Sequence, residues 1–140
     1  MNEPIFEIRF SSELFRIRKV IKDVFSFINE HLPNLSPEDV TDLRLIFSEL
    51  LSNAIIHGNN SDSCKNVRLF IRISGNTIYS TISDEGRGFD YNKQITEASR
   101  RGENLTMESG RGILLVSYLA DSIAYNVSGN RIDFYKKVAL

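Results

Sequence analysis

Between Val67 and Ser83 the chain alternates apolar and polar residues, turns at Gly75-Asn76, and alternates again. Val67, Leu69, Ile71 and Ile73 fall on one face of a pleated strand, and a glycine-containing two-residue turn brings the chain back beside itself as Thr77 to Ser83. Two strands alone are marginal in water, so the apolar face of this hairpin has to be covered by something. That requirement sets the frame for the rest of the chain.

The cover is supplied upstream. Ile5 to Phe10 alternates and reads as a short strand. Ser11 or Ser12 is placed to cap a helix with Leu14, Ile17, Ile21, Val24, Phe25 and Ile28 at helical spacing, ended by His31-Leu32-Pro33. Ser36-Pro37-Glu38-Asp39 opens a second helix with an N-cap, a proline at the first position and acids in the first turn. Leu43, Phe47, Leu50, Leu51 and Ala54 form its apolar face, and Gly58 is placed to stop it. Beyond the hairpin, Asp84-Glu85-Gly86-Arg87-Gly88-Phe89 is a flexible turn. Residues 91–109 are polar and read as a loop or lid with one short helical piece. Gly112 to Ala120 is an apolar helix. Ile123, Tyr125 and Val127 alternate, Ser128-Gly129-Asn130 turns, and Ile132 and Phe134 return. Strand, two helices, hairpin, helix, hairpin, with no repeat and no linker, is the order of one α+β domain over residues 1–140. It predicts a two-layer α/β sandwich with a mixed, mostly antiparallel sheet and helices on one face.

Composition narrows the function classes. A net charge of −1 argues against nucleic acid as a partner, which calls for a basic field. Arg16, Arg18 and Lys19 cluster, as do Arg100 and Arg101, but charged side chains ordinarily face solvent. The single cysteine, Cys64, permits no internal disulfide, which fits a reducing compartment. No apolar run approaches the roughly 20 residues that span a bilayer, and Met1-Asn2-Glu3-Pro4 has no leader character. A cytoplasmic location is the expectation.

Three short motifs carry chemistry. Glu49 and Asn53 lie four apart on the second helix, so both side chains point the same way. Their strip lies opposite the Leu43-Phe47-Leu50-Ala54 face and reads either as solvated surface or as a covered site. Ile56, on the same side, and Ile46, at its edge, favour a cover. A carboxylate and an amide there suit a general base and an oxygen ligand for Mg²⁺. Asp84, ending a strand before Gly86 and Gly88, is either a plain loop or a reader of adenine. Its carboxylate would accept a hydrogen bond from the exocyclic amine, and the glycines let backbone approach a flat ring. Ser109-Gly110-Arg111-Gly112-Ile113 opens an apolar helix. It is either a tight turn or a phosphate site, since helix N-termini present free N–H groups. It is neither a Walker loop nor a dinucleotide fingerprint.

Taken together, Glu49-Leu50-Leu51-Ser52-Asn53-Ala54-Ile55-Ile56-His57-Gly58, then Asp84-Glu85-Gly86-Arg87-Gly88-Phe89, then Ser109-Gly110-Arg111-Gly112-Ile113 resembles the GHKL (Bergerat-type) ATPase superfamily of gyrase, the heat-shock chaperone, histidine kinases and the mismatch-repair ATPase. Within it the chain looks like the anti-sigma-factor serine-protein kinases of bacterial sporulation and stress control, over nearly its whole length. The resemblance implies ATP and Mg²⁺ as ligands. Asn53 would coordinate the metal, and Glu49 would deprotonate a substrate serine. Asp84 would hold adenine above Gly86 and Gly88, while Gly110, Arg111, Gly112 and Ile113 would lie beneath the phosphates. His57 matches a histidine often found at this point of the family, with a solvent-facing helix end as its other reading. The family also implies a homodimer that binds a sigma factor and phosphorylates a STAS-domain antagonist, with Arg16, Arg18 and Lys19 as a candidate partner surface. One departure stands out: Gly129-Asn130-Arg131 replaces the usual Gly-Thr, which places Asn130 where a threonine assists adenine binding. Two other readings are a non-catalytic ATP-binding switch, which would not need Glu49, and a detached histidine-kinase catalytic domain, which lacks its phospho-accepting helical hairpin here.

Overall fold

The computed structural model describes residues 3–86, 111–126 and 128–139. Strand β1 (Ile5–Ser11) leads through a 3₁₀ turn (Leu14–Arg16) into α1 (Ile17–His31). Helix α2 (Pro37–Asn53) runs on into a π turn (Ala54–Gly58). Strands β2 (Asn66–Ser74) and β3 (Thr77–Ser83) form the hairpin, and α3 (Arg111–Leu119), β4 (Ser122–Tyr125) and β5 (Arg131–Lys137) follow. The five strands form one sheet in the order β1-β2-β3-β5-β4. Every pairing among them is antiparallel, so the sheet is simpler than the mixed one expected.

The hairpin register is as its alternation predicts: Ser74 faces Thr77 across the turn, and Gly75 takes φ +58, the conformation a primed turn needs at its first position. Val67, Leu69, Ile71 and Ile73, with Ile78, Ile82, Ile132 and Phe134, point to one side and are buried beneath the helices. Val24 and Ile28 of α1 and Leu43, Phe47 and Leu51 of α2 press onto them, with Phe47 edge-on to Phe134 at 5.3 Å. The opposite face is open. There Arg72 stacks over Tyr79 at 4.2 Å and Tyr79 meets Tyr135 at 5.6 Å. The result is the two-layer α+β sandwich expected.

Two helix boundaries differ from expectation for identifiable reasons. Neither Ser11 nor Ser12 caps α1. Ser11 is still in β1, opposite Asn66, and the Ser12 hydroxyl donates to the Lys65 carbonyl at 2.8 Å. The 3₁₀ turn intervenes, Leu14 is half exposed, and Val20 takes its place in the buried stripe. The start of α2 is as expected: Ser36 Oγ accepts from the Asp39 N–H at 3.1 Å, with Pro37 in the first turn. Its end is not a left-handed glycine cap. The helix widens into the π turn, and the left-handed residues are Asn60 and Ser61, past Gly58. Residues 91–109, read as a lid, and Val127 lie outside the described residues.

Lys136, near the end of β5, is buried. Its ammonium donates to the Leu119 carbonyl at the C-terminal end of α3 (2.8 Å) and lies 3.6 Å from Asp42 of α2. A cation there satisfies an orphan carbonyl and opposes the helix dipole. It ties α3 and α2 to the sheet.

Candidate active site

Glu49 and Asn53 are on the inside of the fold, at 4 % and 6 % exposure. The strip they mark is therefore covered, and Ile46 beside it is fully buried. The cover among the described residues is the first turn of α3. A Cβ built on Gly112 would overlap the Glu49 carboxyl group, so glycine is required for the helix to come this close. Ile113 is fully buried behind it. Ile56 is not part of this arrangement. It is exposed, because the π turn shifts residues past Asn53 off the face that a continuous α-helix would give them.

Asn53 donates its side-chain amide to Glu49 Oε1 at 3.1 Å. That bond turns the amide oxygen of Asn53 away from the carboxylate. Burial raises the pKa of Glu49, and the Asn53 hydrogen bond opposes the shift. A buried, weakly acidic carboxylate has the character of a general base, and it stands against Gly112 of α3. The backbone of Arg111 begins α3; Gly88, Gly110 and the arginines at 100 and 101 lie outside the described residues.

Asp84 forms the second half of the site. Its backbone N–H donates to the Asn130 carbonyl at 2.9 Å, and its carboxylate accepts from the Gly86 N–H at 2.8 Å. Burial raises its pKa; the Gly86 hydrogen bond and the charge of Lys65 pull the other way. A Cβ at Gly58 would overlap the Asp84 carboxylate, and one at Gly86 would overlap the Gly58 carbonyl. Gly58 thus serves close approach as well as ending the π turn, and that turn joins the two halves of the site: Asn53 at its start bonds Glu49, which lies against α3, and Gly58 at its end faces Asp84. Asn130 also extends its amide to the Gly86 carbonyl at 3.4 Å. It touches the Asp84 turn from where the family carries threonine. His57 lies on the exposed side of the π turn.

One residue of the site escaped the sequence. Asn59 is completely buried and accepts from the Glu85 N–H at 2.8 Å, while its amide donates to Ser12 Oγ (2.7 Å) and the Asn66 carbonyl (2.9 Å). In sequence it stands in a run of polar residues that reads as loop. The only local signal is an asparagine directly after the glycine that ends a helix.

The comparisons with known proteins agree with this fold. The histidine kinase-like ATPase domain matches residues 10–136. The anti-sigma F factor of Clostridium perfringens is 30% identical over 118 residues, covering 82% of this chain and 83% of the relative. The serine-protein kinase RsbW of Staphylococcus epidermidis is 28% identical over 128 residues, 87% of this chain and 77% of the relative. Among solved structures, the RsbU and RsbW domains of a Mycobacterium tuberculosis protein superpose with a TM-score of 0.65 at 16% identity, covering 96% of this chain, which spans 32% of that larger protein. None of the described helices is long and apolar enough to cross a membrane. Matched by the family model over most of its length and 30% identical to an anti-sigma F factor across four-fifths of it, the chain belongs to the histidine kinase-like ATPase family, and within it to the anti-sigma factor serine-protein kinases.

Proposed function

We propose that this chain is a cytoplasmic, single-domain anti-sigma factor and ATP-dependent serine-protein kinase, which holds a sigma factor and phosphorylates a serine of a STAS-domain antagonist, working as a homodimer. The observation that carries the kinase reading is Glu49: a buried carboxylate one helical turn from Asn53, against the start of α3. A protein that used ATP only to set its shape would have no need of a base at that point.

In this reading Asp84 accepts the hydrogen bond of the adenine amine, with Gly86 and Gly88 shaping the floor. Gly110, Arg111, Gly112 and Ile113 lie beneath the phosphates, with His57 near the same pocket. The antagonist serine Oγ attacks the γ-phosphorus as the bond to the bridging oxygen of ADP breaks. The serine proton passes to the Glu49 carboxylate, and ADP departs. The donor set suits Mg²⁺ held by one protein oxygen. Among the described residues no three His, Cys, Asp or Glu side chains gather as a metal cage, and the Asn53 amide oxygen is free of the Glu49 bond. When bound, the ion neutralises charge on the phosphate oxygens. For the protein partners, support comes from the exposed Phe15 on the 3₁₀ turn, with Arg16 stacked on it at 5.1 Å and Arg18 and Lys19 alongside.

The test is direct. The chain is mixed with ATP-Mg²⁺ and candidate STAS-domain antagonists, and phosphoserine is sought by mass spectrometry. Tight ATP binding with no phosphate on any antagonist tried would sink the kinase reading in favour of a switch. Asn53→Ala is expected to lose the Mg²⁺-dependent part of ATP affinity, as measured by titration with and without the metal.

A further inference from the structure

We propose that Asn59 is a positioning residue for base recognition, fixing the peptide plane that follows Asp84 and so the aim of its carboxylate. The inference rests on the reading that Asp84 holds adenine, and adds to it the residue that makes Asp84 selective.

The argument starts from what fixes the direction of a side chain. The Cα–Cβ vector of Asp84 is set by the two peptides flanking its Cα. The first is held by the Asp84 N–H on the Asn130 carbonyl (2.9 Å). The second carries the Glu85 N–H, which donates to Asn59 Oδ1 (2.8 Å). Glu85 itself is exposed and its carboxylate accepts from the Asn66 N–H at the surface, so the buried restraint on this peptide comes from Asn59.

Asn59 in turn is immobile. Its amide nitrogen donates to Ser12 Oγ (2.7 Å) and the Asn66 carbonyl (2.9 Å), and Ser12 passes its own hydroxyl proton to the Lys65 carbonyl (2.8 Å). One planar group thereby joins the end of β1, the start of β2 and the turn after β3. The amide orientation is settled chemically: the group facing it from the Asp84 turn is a donor, and one of those on the other side is a backbone acceptor. Only asparagine meets these demands at this reach. Aspartate lacks both donors, leucine lacks every polar atom, and glutamine is one methylene too long for a site with no free space.

Selectivity for adenine over a base with an oxygen at the same position needs a carboxylate in a set place. In the native chain, affinity for ATP is expected to exceed that for inosine triphosphate, which carries a carbonyl oxygen in place of the amine. Asn59→Ala is expected to weaken ATP by about tenfold, the worth of one well-placed hydrogen bond, with a smaller effect on inosine triphosphate, so that the ratio narrows. A residue that only held the fold would lower the melting temperature and scale both nucleotides alike. An unchanged ratio in folded Asn59→Ala overturns the proposal. If that variant does not fold, Ser12→Ala carries the test: it removes one anchor and should narrow the ratio about two- to threefold, and an unchanged ratio there is equally fatal. Asp84→Asn separates the two readings. If it abolishes the ATP preference while Asn59→Ala does not, Asn59 fails and adenine recognition stands. If it leaves the preference intact, recognition by Asp84 fails and the Asn59 proposal falls with it.

Discussion

The Glu49 carboxylate sits between the Asn53 amide and the first turn of α3, at a pKa raised by burial. Two effects of pH follow, and they run in opposite directions. Between the ordinary carboxylate value and the raised one, the folded chain holds a proton that the unfolded chain has lost. Stability therefore falls as pH rises through that window. With Glu49 as the proposed base, serine transfer needs its ionised form, and the rate is expected to climb through the raised value. Glu49→Gln should bind ATP nearly as well as the native chain and transfer phosphate about 10²- to 10⁴-fold more slowly. Its stability advantage over the native chain should grow with pH across the same window, read from denaturant melts. Transfer at the native rate by the Gln variant would remove Glu49 from the base role. At this scale the sequence showed that Glu49 and Asn53 share a face of α2. Ile46 at its edge pointed to a cover, but the sequence could not show what supplies it, because the covering helix arrives some sixty positions later. Asn59 left almost no trace in the sequence, since its meaning lies in partners from three separate strand ends.

Helix α2 and its π turn are the element on which the site depends. Spacing along the helix was readable, and so was its start: Ser36→Ala is expected to cost about 1 kcal/mol in chemical denaturation, within the range of lost N-caps. A shift under about 0.3 kcal/mol, the resolution of such melts, would mean water replaces the cap. The π turn was not readable from the pattern of the helix; at its end Gly58 packs closely against Asp84 and Gly86, contacts that lie far along the chain. The same lesson applies to α1, whose expected caps are already committed to β1 and Lys65. Contact between α3 and α2 gives a sharp test. Gly112→Ala places a methyl group where the Glu49 carboxyl lies, and overpacking of this kind costs about 1–3 kcal/mol. Lowered thermal stability together with weakened ATP binding is the expected result; native values for both would show that α3 does not sit this close in solution.

At the scale of the molecule, fold class and layer count were legible from hydrophobic period alone. The position of each strand in the sheet was not, because period says which face is buried and nothing about which neighbour lies alongside. Lys136 was also opaque. As a lysine in a strand of mixed character it reads as surface, yet it is buried between α2 and α3. Lys136→Met should destabilise by about 1–3 kcal/mol, through the Leu119 carbonyl and Asp42 left without their cation. Thermal unfolding would record it, and a neutral result would imply that water replaces the ammonium.

The strand order has a further consequence, in time rather than in space. β5, last of the strands to be synthesised, lies between β3 and β4. Until it arrives, β3 has an open edge and the Asp84 N–H lacks its Asn130 acceptor. A nascent chain emerging from the ribosome can build its hairpin and its first two helices, but the turn at Asp84 must wait for Asn130 and β5. Ordering of the Asp84 turn is thus coupled to the synthesis of β5, and a chain cut before Asn130 would leave the edge of β3 open.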